Sequence, residues 1–200
     1  MDMMEFFTRA LQLPDPDLNR RLMELVSVRT LERRDLVIRA GDQQNYVSFL
    51  VEGVLRGFFM DVNGHEITDC FCALPGHPAM SCLSLDTPSP ISIEALTRST
   101  ILTIPVAVAE PLLRSEPHLM RMYNRMLKEA LGRHWEIKTA LYQYTAAERY
   151  QWFLRAYPGL TGCASGRHIA SFLGMTPVTL SRLRRALREQ GKPVGEVEKA

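Results

Sequence analysis

The chain is poor in cysteine: only Cys70, Cys72, Cys82 and Cys163 among 200 residues, with no C-x-x-C pair. That density excludes a disulfide scaffold and gives no zinc-ribbon or thioredoxin-like spacing. No apolar run approaches the length of a membrane span, and Met1 to Leu25 is amphipathic and charged, unlike a signal peptide. A reduced, cytoplasmic protein with no membrane partner is expected. Net charge is only +2, so the whole chain offers no general electrostatic attraction for nucleic acid. His65, His77, His118, His134 and His168 are scattered, with no H-x-H pair, and G-x-S-x-G, P-loop and H-E-x-x-H are all lacking. The expectation is a protein that is not an enzyme and carries no metal and no cofactor.

What is present is local. Hydrophobic residues make up 46% of the chain, enough to build a core. Between Gly166 and Lys192 the cations Arg167, Arg182, Arg184, Arg185, Arg188 and Lys192 face Glu189 alone. The remainder is therefore slightly acidic, and one end of the molecule carries the footprint expected of a DNA-binding segment.

The chain changes texture three times. Asp15 to Val28 has Leu18, Leu22, Leu25 and Val26 on one helical face. From Leu31 to Ile104, short β-type runs are separated by Gly41-Asp42, Gly53, Asn63-Gly64 and Gly76, the cadence of an antiparallel sandwich or barrel. Asn63-Gly64 predicts a hairpin whose two turn residues both take positive φ. After Pro105 the period becomes 3.6. From Glu116 to Tyr144 the residues Leu119, Tyr123, Met126, Ala130, Ile137 and Leu141 form a seam on a helix about 40 Å long, read as a dimer interface.

The most informative stretch is HIASFLGMTPVTLSRLRRAL, His168 to Leu187. A helix-turn-helix needs a small residue inside its first helix, a glycine in the turn, apolar residues closing the wedge, and a polar face left on the second helix. Ala170 is the small residue and Gly174 the turn glycine. Ile169, Leu173, Met175, Leu180 and Leu183 supply the wedge, and Thr176 with Pro177 starts the second helix. At 100° per residue Val178, Ser181, Arg182, Arg185 and Glu189 point away from the wedge. Thr176, Val178, Thr179, Ser181, Arg182, Arg184, Arg185 and Arg188 are the candidate DNA-binding residues. Arg182 has the reach for a guanine edge, and Arg184 and Arg188 on the flanks suit phosphates.

A β-rich module, a long helix and a terminal helix-turn-helix together resemble the Crp/Fnr family of bacterial transcription regulators. LVIRAGDQQNYVSFLVEGVLRGFF is similar to the opening strands of that family's cyclic-nucleotide-binding-type domain, and AAERYQWFLRAYPGL with HIASFLGMTPVTLSRLRR is similar to its DNA-reading end. The resemblance implies a jelly-roll sensor, a dimerisation helix and an output domain in which Arg182 matches the family's base-contacting arginine. Pro177 and Val178 stand where nucleotide-responsive members place a polar, base-reading pair, which shifts readout toward Arg182 and Arg185.

The segment LPGHPAMSCLSLDTPSPISIEAL departs further from the pattern the resemblance implies. Ser81-Cys82 occupy the place of a Gly-Glu pair, and Pro90 or Ile91 precedes Ser92 where an arginine would hold a cyclic phosphate. Without that counter-charge cyclic AMP is not expected to bind. Gly76, His77, Met80, Ser81, Cys82 and Ser92 are the candidate effector pocket, for an unknown small molecule. Cys70 and Cys72 share a strand face, and with Cys82 they read as buried structural thiols, a redox role being the alternative. Trp135 and Trp152 read as core or interface residues. Too few residues follow Gly191 for the wing the resemblance implies.

The fold class expected is therefore α+β, in three parts. Residues 1–109 form a jelly-roll sensor with an N-terminal helix, residues 110–144 a dimerisation helix, and residues 145–200 a helix-turn-helix domain with a reduced or absent wing. The function expected is an effector-modulated, homodimeric regulator that binds double-stranded DNA, with RNA polymerase a further candidate partner. The alternatives are a redox-responsive or effector-independent DNA-binding regulator, and a jelly-roll small-molecule-binding protein that does not bind DNA.

Overall fold

The computed structural model describes residues 2–80 and 87–189. Met3–Glu5 (α1) runs into a π-helical turn, Phe6–Ala10. Asp15 then starts α2, Pro16–Leu25, its carboxylate accepting from the amides of Asp17 and Leu18 at 3.0 and 3.2 Å, with Pro16 where a missing N–H costs nothing.

Among the described residues seven strands follow: β1 (Ser27–Leu31), β2 (Leu36–Ile38), β3 (Tyr46–Glu52), β4 (Leu55–Met60), β5 (Glu66–Cys72), β6 (Ser92–Ala95) and β7 (Ser99–Pro105). They form one sheet in the order β1-β7-β3 and a second in the order β2-β6-β4-β5. The first strand starts earlier than the sequence pattern predicts. Ser27 to Thr30 are exposed and only Leu31 is buried, so this edge strand has no alternation to betray it.

The Asn63-Gly64 turn also differs from expectation. Gly64 has φ of +78°, whereas Asn63 is not among the residues of positive φ, so this is no two-residue turn. Asp61 takes over the geometry: its carboxylate accepts from the amides of Asn63 and His65, both at 2.8 Å, and its own amide donates to the His65 carbonyl at 2.8 Å. These bonds, that from His65 first, hold the Asp61 carboxyl below its ordinary range.

Among the described residues, four longer α-helices and one short one follow, with a 3-10 turn at Leu160–Gly162. They are α3 (Val106–Ser115), α4 (Pro117–Gln143), α5 (Ala146–Ala156), α6 (Gly166–Phe172) and α7 (Pro177–Glu189). Glu116 is extended, as a residue preceding proline prefers, and this separates α3 from α4. Arg149 donates to the Leu141 carbonyl (3.1 Å) and the Tyr144 carbonyl (3.4 Å) at the end of α4. Thr145 and Glu148 form a reciprocal capping box that starts α5.

The chain divides into two compact units: the part up to Gly57 with Phe71–Leu131, and Phe58–Cys70 with the part from Gly132 onward. In the first unit, Phe6, Phe7, Leu11, Leu13, Leu18, Leu22, Phe49, Leu102, Leu119 and Met126 make one buried cluster. In the second, an aromatic cluster closes the core. Phe153 lies 5.4 Å from Tyr157, and Phe172 lies 5.5 Å from Tyr157 and 5.9 Å from Phe153 between ring centroids. Burial pushes the Tyr157 hydroxyl up to about 12, against an opposing pull from Arg133, so it stays protonated.

Candidate nucleic-acid interface

Each local signal in His168–Leu187 has a structural counterpart. Ser165 caps α6 by accepting from the His168 amide at 3.2 Å. Ala170 is fully buried, and Gly174 takes φ of +61° in the turn. A Cβ added at Gly174 would come within 3.2 Å of Leu141 Cδ2, a tight approach, and the left-handed backbone itself favours glycine. Thr176 starts α7, its hydroxyl accepting from the Thr179 amide at 3.1 Å and lying 2.9 Å from the Thr179 hydroxyl. Ile169, Leu173 and Leu180 are buried in the wedge, whereas Met175 and Leu183 are only half-buried. Phe172 and Leu187 are also buried and contribute to that core.

The opposite face of α7 is open. Thr176, Val178, Ser181, Arg182, Arg185 and Arg188 are exposed, and Thr179 is half-buried. Arg185 pairs with Glu189 one turn on at 2.8 Å, and the Arg188 Nε donates to the Arg184 carbonyl at 3.4 Å. Arg184 does not belong to this face, which corrects its reading as a phosphate ligand. Its Nε donates to the Tyr150 hydroxyl at 3.1 Å, and its guanidinium carbon lies 5.6 Å from the Tyr150 ring centroid. Tyr150 is fully buried, so Arg184 bridges α7 to α5 as packing.

The first helix of the pair is tied to a strand. Ser171 on α6 accepts from the Thr68 amide and donates to the Glu66 carbonyl, and Arg167 lies 3.7 Å from the Glu66 carboxylate. Neither Ser171 nor Thr68 carries a sequence signal for this link, which joins residues more than 100 positions apart.

Comparison with known proteins agrees with this architecture. Residues 28–116 match the family model of the cyclic nucleotide-binding domain, and no curated protein sequence matches the chain. FixK2 from Bradyrhizobium japonicum is similar in structure: TM-score 0.74 and 19% identity, over 88% of this chain and 89% of that one. CLP of Xanthomonas campestris, described as a c-di-GMP responsive global regulator, gives 0.69 and 15% over 88% and 93%. A Eubacterium rectale protein described as a transcriptional regulator of the Crp/Fnr family gives 0.67 and 16% over 94% and 89%. The chain has the Crp/Fnr fold.

Within this Crp/Fnr fold, α4 presents a different seam from the one the sequence pattern picks out. Leu119 and Met126 are buried in the first unit's own cluster beneath the N-terminal helices, and Leu141 packs against the Gly174 turn. Tyr123, Ala130 and Ile137 are half-buried. The large apolar residues left exposed on α4 are Met120, Leu131 (61%), Trp135 (58%) and Tyr142 (81%). With half-buried Leu127 they fall on one stripe at separations of four and seven. Trp135 is therefore no core residue, whereas Trp152 is half-buried and stacks on Phe172 at 6.1 Å.

The candidate effector residues do not converge among the described residues. Gly76 lies against the Ala10 carbonyl, where an added Cβ would meet it at 2.7 Å. The Ser92 hydroxyl accepts from the Ala40 amide at 3.0 Å, His77 exchanges backbone bonds with Leu50 and Leu74, and Met80 alone lines an apolar cavity. Ser81 and Cys82 lie outside the described residues, as does the region of the wing. Cys72 is buried, its Sγ 3.8 Å from the His77 and Pro78 carbonyl oxygens, and Cys70 is half-buried.

Arg56 escaped the sequence reading. It is the buried cation among the described residues, 1% exposed on β4, and its Nη1 sits 2.7 Å from the Glu94 carboxylate on β6. No lysine or arginine occurs from Gly76 to Leu96, where a cyclic phosphate would need one. The one buried guanidinium among the described residues is thus already paired with a carboxylate.

Proposed function

We propose that this chain is a transcription regulator that binds double-stranded DNA through α7 and acts as a homodimer through α4. The observation that carries the reading is the two-sided build of α7. Leu180 and Leu187 are buried beneath it, while Val178, Ser181, Arg182, Arg185 and Arg188 stand open on the other side. In the major groove, Arg182 supplies a bidentate donor pair for guanine O6 and N7, and Arg185 and Arg188 supply charge toward phosphates. The stripe of exposed Met120, Leu131, Trp135 and Tyr142 with half-buried Leu127 supports the dimer, because a two-fold pair places two recognition helices on half-sites about 34 Å apart. Fluorescence anisotropy on duplexes selected from a random library tests the reading. Affinity should fall steeply between about 50 and 200 mM salt as counterions are released, with a log–log slope near −0.9 per phosphate contact. Absence of salt-dependent duplex binding would remove the proposal.

A further inference from the structure

We propose that the first unit holds a binding site for a small, uncharged apolar molecule of about the size of benzene, on the helix-facing side of the β1-β7-β3 sheet. A cavity of about 100 Å³ lies there, walled by Phe7 and Leu11, by Phe49 and Leu102, and by Leu113 and Met122. The β3–β7 register shows which side of the sheet this is. Val47 pairs with Ile104 and Phe49 with Leu102, and all four line the cavity. Ser48, Leu50, Ile101 and Thr103 therefore project from the opposite face, away from it. Among the described lining residues only Glu110 and Tyr123 carry polar side-chain atoms, so these walls offer a water few of its two to four partners. Apolar cavities of this order accept ring-sized apolar solutes, and Met122 and Met126 can adjust around one. The probe is benzene, with benzoate as a charged control of similar shape. Benzene should raise the melting temperature saturably and benzoate should not, and Leu113→Phe or Ala109→Val, each adding bulk at the lining, should weaken the benzene response at least several-fold. No saturable response to benzene in the folded full chain, an equal response to benzoate, or an unchanged response in both variants overturns the site.

A second inference rests on the DNA-binding reading and on a separate observation. We infer that Val178 reads a thymine methyl group. Val178 is 59% exposed in the first turn of α7 and stands on the face that carries Arg182. Residues 178 and 182 lie one turn apart, about 6 Å along the axis, against about 3.4 Å per base pair. The thymine should therefore fall one or two steps from the guanine that Arg182 contacts. The C5-methyl is the apolar feature on the major-groove edge, and burying one methyl corresponds to about fourfold in affinity. Deoxyuridine replaces each thymine of a selected operator in turn. One replacement per half-site should weaken wild type about fourfold and leave Val178→Ala unaffected. Undiminished wild-type affinity at every replacement, or equal sensitivity in Val178→Ala, overturns the inference while duplex binding persists. Loss of all specific duplex binding in wild type overturns the DNA-binding reading as well.

Discussion

The hydroxyl of Ser171 accepts the buried Thr68 amide at 2.9 Å and returns its own proton to the Glu66 carbonyl at 3.2 Å. A single side chain thus bonds a donor and an acceptor of β5, and it does so from the helix that supports α7. Ser171→Ala removes both bonds, each of which contributes about 0.5–1.5 kcal/mol. Amide exchange at Thr68 should accelerate strongly, while that at Leu50, bonded to His77 in the other unit, should not change. Unaltered protection at Thr68 would mean that the link is absent in solution.

Three of the four arginines of α7 should separate cleanly. Arg182→Ala should weaken a selected operator by about 1–3 kcal/mol and relax preference at one base position. Arg188→Ala should weaken all sequences alike and flatten the salt slope by about one. Arg184→Ala should instead lower the melting temperature, since it loses the Tyr150 hydroxyl and ring contacts. A melting temperature unchanged by Arg184→Ala would contradict its inward placement.

For dimerisation, Leu131→Asp places two like charges on the exposed α4 stripe, whereas Leu119→Asp damages the monomer core. Sedimentation should show the Leu131→Asp chain folded and monomeric. A dimer that survives this substitution places the interface elsewhere.

Cyclic AMP should give no saturable isotherm in calorimetry. Loss of an arginine partner for a desolvated phosphate costs about 2–5 kcal/mol, enough to turn a micromolar site into a millimolar one. Arg56 cannot substitute while Glu94 neutralises it. Glu94→Gln removes the ion pair of a buried guanidinium and should lower stability, read by urea denaturation. A micromolar isotherm with cyclic AMP, or a Glu94→Gln chain of unchanged stability, would refute this account.

The β4–β5 turn should weaken in acid. The folded Asp61 carboxyl titrates below its ordinary value of 3.8, chiefly through the His65 amide, so its stabilising effect is present above that value and fades as pH falls through the folded one. An NMR titration should show Asp61 protonating below 3.8 together with shifts of the Asn63 and His65 amides. Asp61 titrating at or above its ordinary value would remove those bonds from the solution structure.

What the sequence by itself determined is the local part of the molecule. Ala170, Gly174, Thr176, Pro177 and Leu180 act within one or two turns of chain, so capping, left-handed backbone and the 3.6 period are visible in the string. The β cadence and the length of α4 were legible for the same reason. Tertiary structure decided which face meets what. Nothing near Leu119 or Met126 reveals that Phe7, Leu11 and Leu22 cover them, and the apolar stripe that remains open runs instead through Met120, Leu131 and Trp135. Nothing near Arg184 reveals Tyr150, 34 positions away, and Arg56 is an ordinary strand arginine until Glu94, 38 positions on, arrives beside it. A charged side chain at the margin of a helix face can turn either way at little local cost. The choice falls to a partner that only the folded chain brings within hydrogen-bond reach.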